Sequence, residues 1–392
     1  MHNLTRTVFT LLSAMLLLVL ASEPAQAIPA FARKYRMSCK TCHYPFPRLK
    51  PYGDDFAGNG FNLPDQEAPR YYDDTGDDML SLIRDFPVAV RLEGYLNYND
   101  TGEKKSDIAS PYLLKLLSGG AISDKISYYF YFYMDERGEV AGVEDAYVMF
   151  NNLLGADFDI YLGQFQISDP LFKRELRLSY EDYQVYRLRV GDSQKNLTYD
   201  RGIMLTLGLE SGTDLIFEVI NGNGLSEADS DRNFDNDKYK DFFGRISQEM
   251  GDFFRIGAFG YSGRERSGGI LNKVWMAGPD LTVSVPGDKF ELNFQYLFRS
   301  DDNPLFSGPA ATEIKTRGML AEAVILPRGD ESRVVLSGIA NWVNSDLDEH
   351  DYRSFSAHIS YLARRNFRLA AEFTHEWEHK TNRLGLAFIT AF

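Results

Sequence analysis

The stretch that decides the fold is FELNFQYLFR, residues 290–299. Side chains alternate between the two faces of an extended strand. Phe290, Leu292, Phe294, Tyr296 and Phe298 therefore share one face, and Glu291, Asn293, Gln295 and Arg299 the other. Ile203, Leu205, Leu207 and Leu209 repeat the theme opposite Thr206, Gly208 and Glu210. From Pro87 onward the chain reiterates one unit, about ten residues of alternation followed by a turn or a loop.

A soluble sandwich would alternate as well, burying its apolar faces against each other. Three features favour a membrane barrel instead. The strands approach the roughly nine to eleven residues of a tilted span. They number about sixteen, and bacterial single-chain barrels have even counts. The connections also fall into long and short classes. Asp135–Gly142, Gln166–Asp200, Gly222–Lys238 and Asp301–Lys315 are long and polar. Asn152–Ala156, Glu210–Thr213, Met250–Asp252 and Arg364–Asn366 are tight, and Ala277–Lys289 fits the short class poorly. The expected fold is thus an all-β transmembrane antiparallel barrel of about sixteen strands with a short N-terminal module ahead of it.

The chain ends agree with export to an outer membrane. Arg6, the apolar run Val8–Leu20 and the small-residue site Ala25-Gln26-Ala27 read as a signal peptide over residues 1–27, with a mature start near Ile28. At the other end NRLGLAFITAF, residues 382–392, alternates Leu384, Leu386, Phe388, Thr390 and Phe392. A strand closing on Phe resembles the assembly signal of bacterial outer-membrane barrels. Aromatics at 14% suit two interfacial girdles, and a net charge of −14 argues against nucleic-acid partners. Residues 28–86 form the N-terminal module with an acidic linker, and residues 87–392 the porin-like barrel. With an even strand count both barrel ends lie on the periplasmic side, and the module either stays there or folds up into the lumen.

Both cysteines of the chain lie in Cys39-Lys40-Thr41-Cys42-His43, the attachment signature of a covalent c-type haem. Two thiols at this spacing reach the two vinyl groups, and the adjacent imidazole reaches the iron. Cys39, Cys42 and His43 are therefore the cofactor-binding residues, with His43 as proximal iron ligand. A structural zinc site would need further ligands of the usual kind. Met37 stands too near Cys39 to wrap to the other haem face. His358, on the polar face of Tyr352–Leu362 with Ser354, Ser356 and Ser360, is a candidate distal ligand or else a polar residue of the lumen wall.

Two other patterns carry less. His375-Glu376-Trp377-Glu378-His379 matches a zinc-protease motif, but that chemistry needs a helix. On a strand, residues four apart stand roughly 13 Å from each other. Asp73, Asp74, Asp77 and Asp78, and Asp229, Asp231, Asp235 and Asp237, read as solvated loop charge that could also gather hard cations.

The order of parts resembles the fused outer-membrane monohaem cytochrome c–porin family, whose best-known members are the iron oxidases of iron-oxidising bacteria. The resemblance rests on Ile28–Arg33, Met37–His43 and Phe46-Pro47-Arg48-Leu49-Lys50-Pro51-Tyr52-Gly53, followed by a barrel. It covers about 30 residues closely and the barrel only in architecture. Tyr35-Arg36 stands where the family suggests a Thr-Gly-like pair. The resemblance implies electron transfer from an extracellular donor, Fe(II), through one haem c to a periplasmic c-type cytochrome, with outer-membrane lipid around the barrel. The alternatives are a solute porin with a haem-bearing plug or redox sensor, and a conduit running outward.

Overall fold

The computed structural model describes residues 30–63, 76–77, 79–80, 86–101, 105–235, 237–285, 287–308 and 311–392. The signal segment, residues 1–27, and Asp73, Asp74 and Asp78 lie outside the described residues. Sixteen strands close into one antiparallel barrel. They are β1 (Val88–Asn99), β2 (Ser106–Ser123), β3 (Ile126–Glu136), β4 (Gly142–Phe150), β5 (Phe158–Gln166), β6 (Tyr199–Leu209), β7 (Thr213–Ile220) and β8 (Asp241–Met250). After these come β9 (Phe254–Ser267), β10 (Ile270–Val285), β11 (Phe290–Asp301), β12 (Ile314–Ile325), β13 (Val334–Ser345), β14 (Tyr352–Arg364), β15 (Phe367–Glu376) and β16 (Thr381–Ala391). Each strand pairs with its neighbours in sequence, and β1 pairs with β16 from Arg91 opposite Ala391 to Asn99 opposite Arg383. Closure leaves no unpaired sheet edge, which is what lipid demands of a spanning sheet.

The period-2 reading fixes which face looks out. On β14, Phe355, Ile359 and Tyr361 are exposed, whereas Ser354, Ser356, His358 and Ser360 are buried in the lumen. On β11, Asn293, Gln295 and Arg299 are buried and Phe298 is exposed. The outward face is an apolar belt that includes Leu162, Ile203, Phe217, Ile246, Trp275 and Leu386.

One end of the barrel carries only short links, none longer than the 326–333 turn, and the other carries the long loops 167–198 and 221–240. Two details differ from the sequence expectation. The Ala277–Lys289 stretch is not a link, because β10 continues through it to Val285. Gly278 and Pro279 resemble a turn, yet they sit in mid-strand, where the β11 ladder omits them without any change of register. Pro has no N–H to give a ladder, so the gap falls where the sequence demands it. On the long-loop end, β9 and β10 meet in the tight turn Gly268-Gly269, both residues at positive φ as a two-residue hairpin requires. Here the length lies in the strands rather than the loop.

The lumen is packed. Loop 167–198, with the short helix α3 (Gln184–Arg187), folds inside. Val185 and Tyr186 join an apolar cluster with Met149, Tyr161, Phe243, Leu297, Leu320 and Ile339 of the inner wall. Polar anchors hold the loop across the barrel: Tyr183 donates to Glu322 at 2.7 Å, Asn341 to the Asp182 carbonyl at 2.9 Å, and Arg299 to the Leu188 and Lys195 carbonyls at 2.9 Å.

Candidate functional site: the Cys-x-x-Cys-His plug

The N-terminal module begins with α1 (Ala30–Tyr35), turns through a 3-10 segment at Cys39–Thr41 and ends with α2 (Pro51–Gly58). Ser38 caps the turn by accepting from Lys40 N, and Pro51 opens α2, where its missing N–H costs nothing. Tyr35, Cys42, Phe56 and Phe61 bury together with Phe31, Met37, Leu49 and Tyr129 of β3. Phe31 and Phe61 stack at 5.0 Å, and Phe61 stacks on Tyr129 at 4.8 Å. Such pairs add about 0.5–1.5 kcal/mol each beyond the area they bury. Gly53 packs on the Cys42 carbonyl so closely that a Cβ there would overlap it. The α2 helix is thereby held against the cysteine turn.

The module sits inside the barrel at its short-turn end. Arg48 is buried and ion-paired to Glu322 at 2.6 Å and to Glu291, both on the inner wall. Lys50 bonds to Asp288 at 3.0 Å and to Asp330, and Lys40 to Glu331 at 2.6 Å, all in short links. Asp54 pairs with Lys173 of the inserted loop at 2.8 Å, and Asn151 donates to the Gly58 carbonyl. Tyr44 buries with Leu178 of that loop and with Val324, Leu326, Val335 and Leu362 of the wall and its links. These contacts seat Tyr44, Arg48 and Gly58 against the inner wall and the short links.

The ring of His43 is set by main chain. Its Nδ1 lies 3.0 Å from the Pro47 carbonyl oxygen and 3.3 Å from that of Arg48. Carbonyls only accept, so Nδ1 carries the proton and Nε2 the lone pair. Burial pushes the His43 imidazole down to about 4, against the two carbonyls and Asp54, which raise it. The ring is therefore neutral at physiological pH. Burial also raises both thiols, that of Cys42 to about 11, so neither cysteine is a thiolate nucleophile. Met37 Sδ lies 4.0 Å from Cys42 Sγ.

These residues fit a covalent haem c. Two protonated thiols stand on one turn, a neutral imidazole presents Nε2, and its other nitrogen is oriented by a carbonyl, the usual arrangement behind a metal-bound histidine. Aromatic and aliphatic walls surround them. Among the described residues no group of three or more His, Cys, Asp or Glu side chains is placed to hold a metal ion. The pair of cysteines with His43 does not extend into a four-ligand zinc site.

His358 faces the lumen from β14, but both ring nitrogens are engaged. Nδ1 lies 3.1 Å from Glu372, and Nε2 lies 2.8 Å from Ser360 and 3.2 Å from Arg368. To ligate iron it would first have to leave this network. His375 lies on β15 and bonds to Asn382 at 2.8 Å, while His379 is in the following turn against Glu376. Among the described residues, no group placed to hold a metal includes the two histidines.

Sequence reasoning did not find Arg48, Glu291, Glu322 or Tyr129 as parts of the site. The parity of residues 290–299 did place Glu291 on the polar face. Nothing local names its partner, which is 243 residues away.

Compared by sequence, the chain matches no family model and no curated protein. Compared by structure, it is similar to an anion-selective porin from Comamonas acidovorans, with a TM-score of 0.58 at 9% identity, covering 78% of this chain and 99% of that one. A loop-deletion mutant of OmpT, an outer membrane protein of Vibrio cholerae, gives 0.57 at 11% over 78% and 99%. The outer membrane channel DcaP of Acinetobacter baumannii gives 0.55 at 14% over 79% and 97%. At these identities the likeness establishes the fold: the chain is a closed, porin-type sixteen-stranded barrel.

Proposed function

We propose that this is an outer-membrane barrel that carries one covalent haem c in the periplasmic mouth of its lumen and passes electrons across the membrane. The observation that carries this reading is the presentation of His43, a neutral imidazole with Nδ1 tied to main-chain carbonyls, one residue after a cysteine pair in a plug locked to the wall. The closed ring, the apolar outer belt and the likeness to porins support the outer-membrane setting. The haem, when bound, supplies the one-electron chemistry. The chain's residues do the rest. Cys39 and Cys42 tether, His43 ligates, and Phe31, Tyr35, Phe56 and Phe61 exclude water. By the resemblance of Met37–His43 and Phe46–Gly53, the donor is extracellular Fe(II) and the acceptor a periplasmic c-type cytochrome.

A second reading is a solute porin in which the haem-bearing plug senses redox state. The porins and channels among the structural neighbours favour it, as does an open cleft of about 240 Å³ at the long-loop end, lined by Arg189, Lys195, Tyr199 and Asp200. One experiment separates the two. The protein is matured with haem, placed in vesicles, and challenged outside with Fe(II) at neutral pH while the reduced-haem band and solute leakage are followed. Rapid reduction without leakage supports the conduit. Leakage with a haem that stays oxidised supports the porin. Reduction from the periplasmic side alone supports outward flow.

A further inference from the structure

Arg48 acts at two places at once. Its carbonyl accepts from Tyr44 N at 3.1 Å and from His43 Nδ1 at 3.3 Å, while its guanidinium reaches Glu322 at 2.6 Å and also Glu291. The two glutamates lie on adjacent strands, with Asn293 opposite Glu322 in the β11–β12 register. Each is itself held, Glu322 by the Tyr183 hydroxyl at 2.7 Å and Glu291 by Asn293 Nδ2 at 3.0 Å. A planar fork spanning two fixed carboxylates has little freedom to rotate, more so than an ammonium would. A second wall contact meets the other side of the ring. Phe46 stands edge-on to His43 at 5.6 Å, and Arg91 of β1 lies over Phe46 at 5.6 Å, held by Glu93.

We propose that Arg48 is a positioning residue, and that the barrel wall, through Glu291 and Glu322, sets the orientation of the His43 ring. The haem site is then composite: the module supplies the ligands and the barrel supplies their alignment. This rests on reading His43 as the proximal ligand. In a self-sufficient cytochrome the orienting carbonyl belongs to the module's own fold. Here the nearer carbonyl is that of Pro47 at 3.0 Å, and the second, at 3.3 Å, belongs to the adjoining Arg48, whose side chain fixes both by its hold on β11 and β12.

The deciding variants leave the module's sequence intact. Glu291→Gln with Glu322→Gln removes both arms of the clamp. Asp280→Asn serves as control, since it breaks a buried pair with Arg245 (2.5 Å) elsewhere on the wall. We expect the double variant to keep covalent haem while its ferric electron paramagnetic resonance signal splits or broadens and its midpoint potential shifts. Arg48→Lys, which retains one charge, should fall between, and the control should match the parent. Parent-like spectra and potential in the double variant would overturn the inference. If the double variant does not assemble, each single glutamine variant keeps one arm and decides by the same readouts. A readout without haem is the Nδ1 proton of His43 in the Cys39→Ala, Cys42→Ala chain with labelled histidine. Its hydrogen-bonded shift should move and broaden with the two wall glutamines, and an unchanged shift would overturn the proposal. A parent chain that never acquires haem fails the ligand reading instead, and this proton measurement still judges the clamp.

Discussion

Arg48 Nη1 lies 2.6 Å from Glu322 Oε2, with both side chains almost wholly withdrawn from water and 274 positions apart along the chain. Breaking a buried pair leaves one uncompensated charge, at about 3–5 kcal/mol. Arg48→Ala should therefore release the plug, read as new protease cleavage between residues 30 and 63 and as a rise in single-channel conductance.

Lys50 offers the contrast. Its partners Asp288 and Asp330 are 37% and 40% exposed, so solvent screens both pairs. Lys50→Ala should cost about 0–1 kcal/mol and leave the plug in place. A protease pattern like that of Arg48→Ala would show that the two anchors act as one.

Ile359 sits mid-strand on the outward face of β14. Ile359→Arg puts a charge near the membrane midplane and should destabilise the barrel by about 2–4 kcal/mol in lipid. Urea unfolding in vesicles, followed by the loss of the compact form on unheated gels, measures this. An unchanged midpoint would mean the face is not lipid-exposed.

Glu218 is fully buried on the inner wall, and neither carboxylate oxygen has a partner among the described residues. An ionised carboxylate there would be uncompensated, which is costly. Glu218→Gln should leave stability unchanged or raise it by about 1 kcal/mol. A loss of several kcal/mol in the same unfolding assay would reveal a cation or water network that depends on the charge.

In the haem-free chain, burial holds the Cys42 thiol up at about 11. Alkylation needs the thiolate, so its rate at pH 8 should lie well below that of a free thiol and keep rising with pH toward about 11. Mass spectrometry after timed alkylation checks it. A plateau near pH 8.5 would place Cys42 in solvent.

Much of the fold could be read from local pattern, because a strand's alternation is a local property. Glu291, Asn293, Gln295 and Arg299 sit inward as the parity of residues 290–299 demands, and Phe298 faces out. Leu297 also sits inward, buried against the inserted loop. It shares the parity of Glu291 and Arg299, so its direction was legible, but why an apolar residue stands on the polar face shows only once loop 167–198 is packed against it. The strand count came out at sixteen although Ala277–Lys289 fitted the short class of links poorly. The motif at Cys39–His43 was legible as chemistry, whereas its seat in the lumen depends on ion pairs that close over hundreds of residues. The preference of His43 for carbonyl partners follows from Pro45-Phe46-Pro47-Arg48, a short turn whose hydrogen bonds become visible only once folded.

The pairing of β1 with β16 joins Arg91 to Ala391, so the ladder that completes the ring is also the one most distant in sequence. Until Thr381–Ala391 docks, β1 and β15 both present open edges, the kind that recruit foreign strands. Folding dominated by so long a separation is slow. The exposed intermediate is a cylinder with a seam, and the seam lies beside the module. A chain shortened by its last strand would not be a slightly weaker barrel. It would be an open sheet with two adhesive margins.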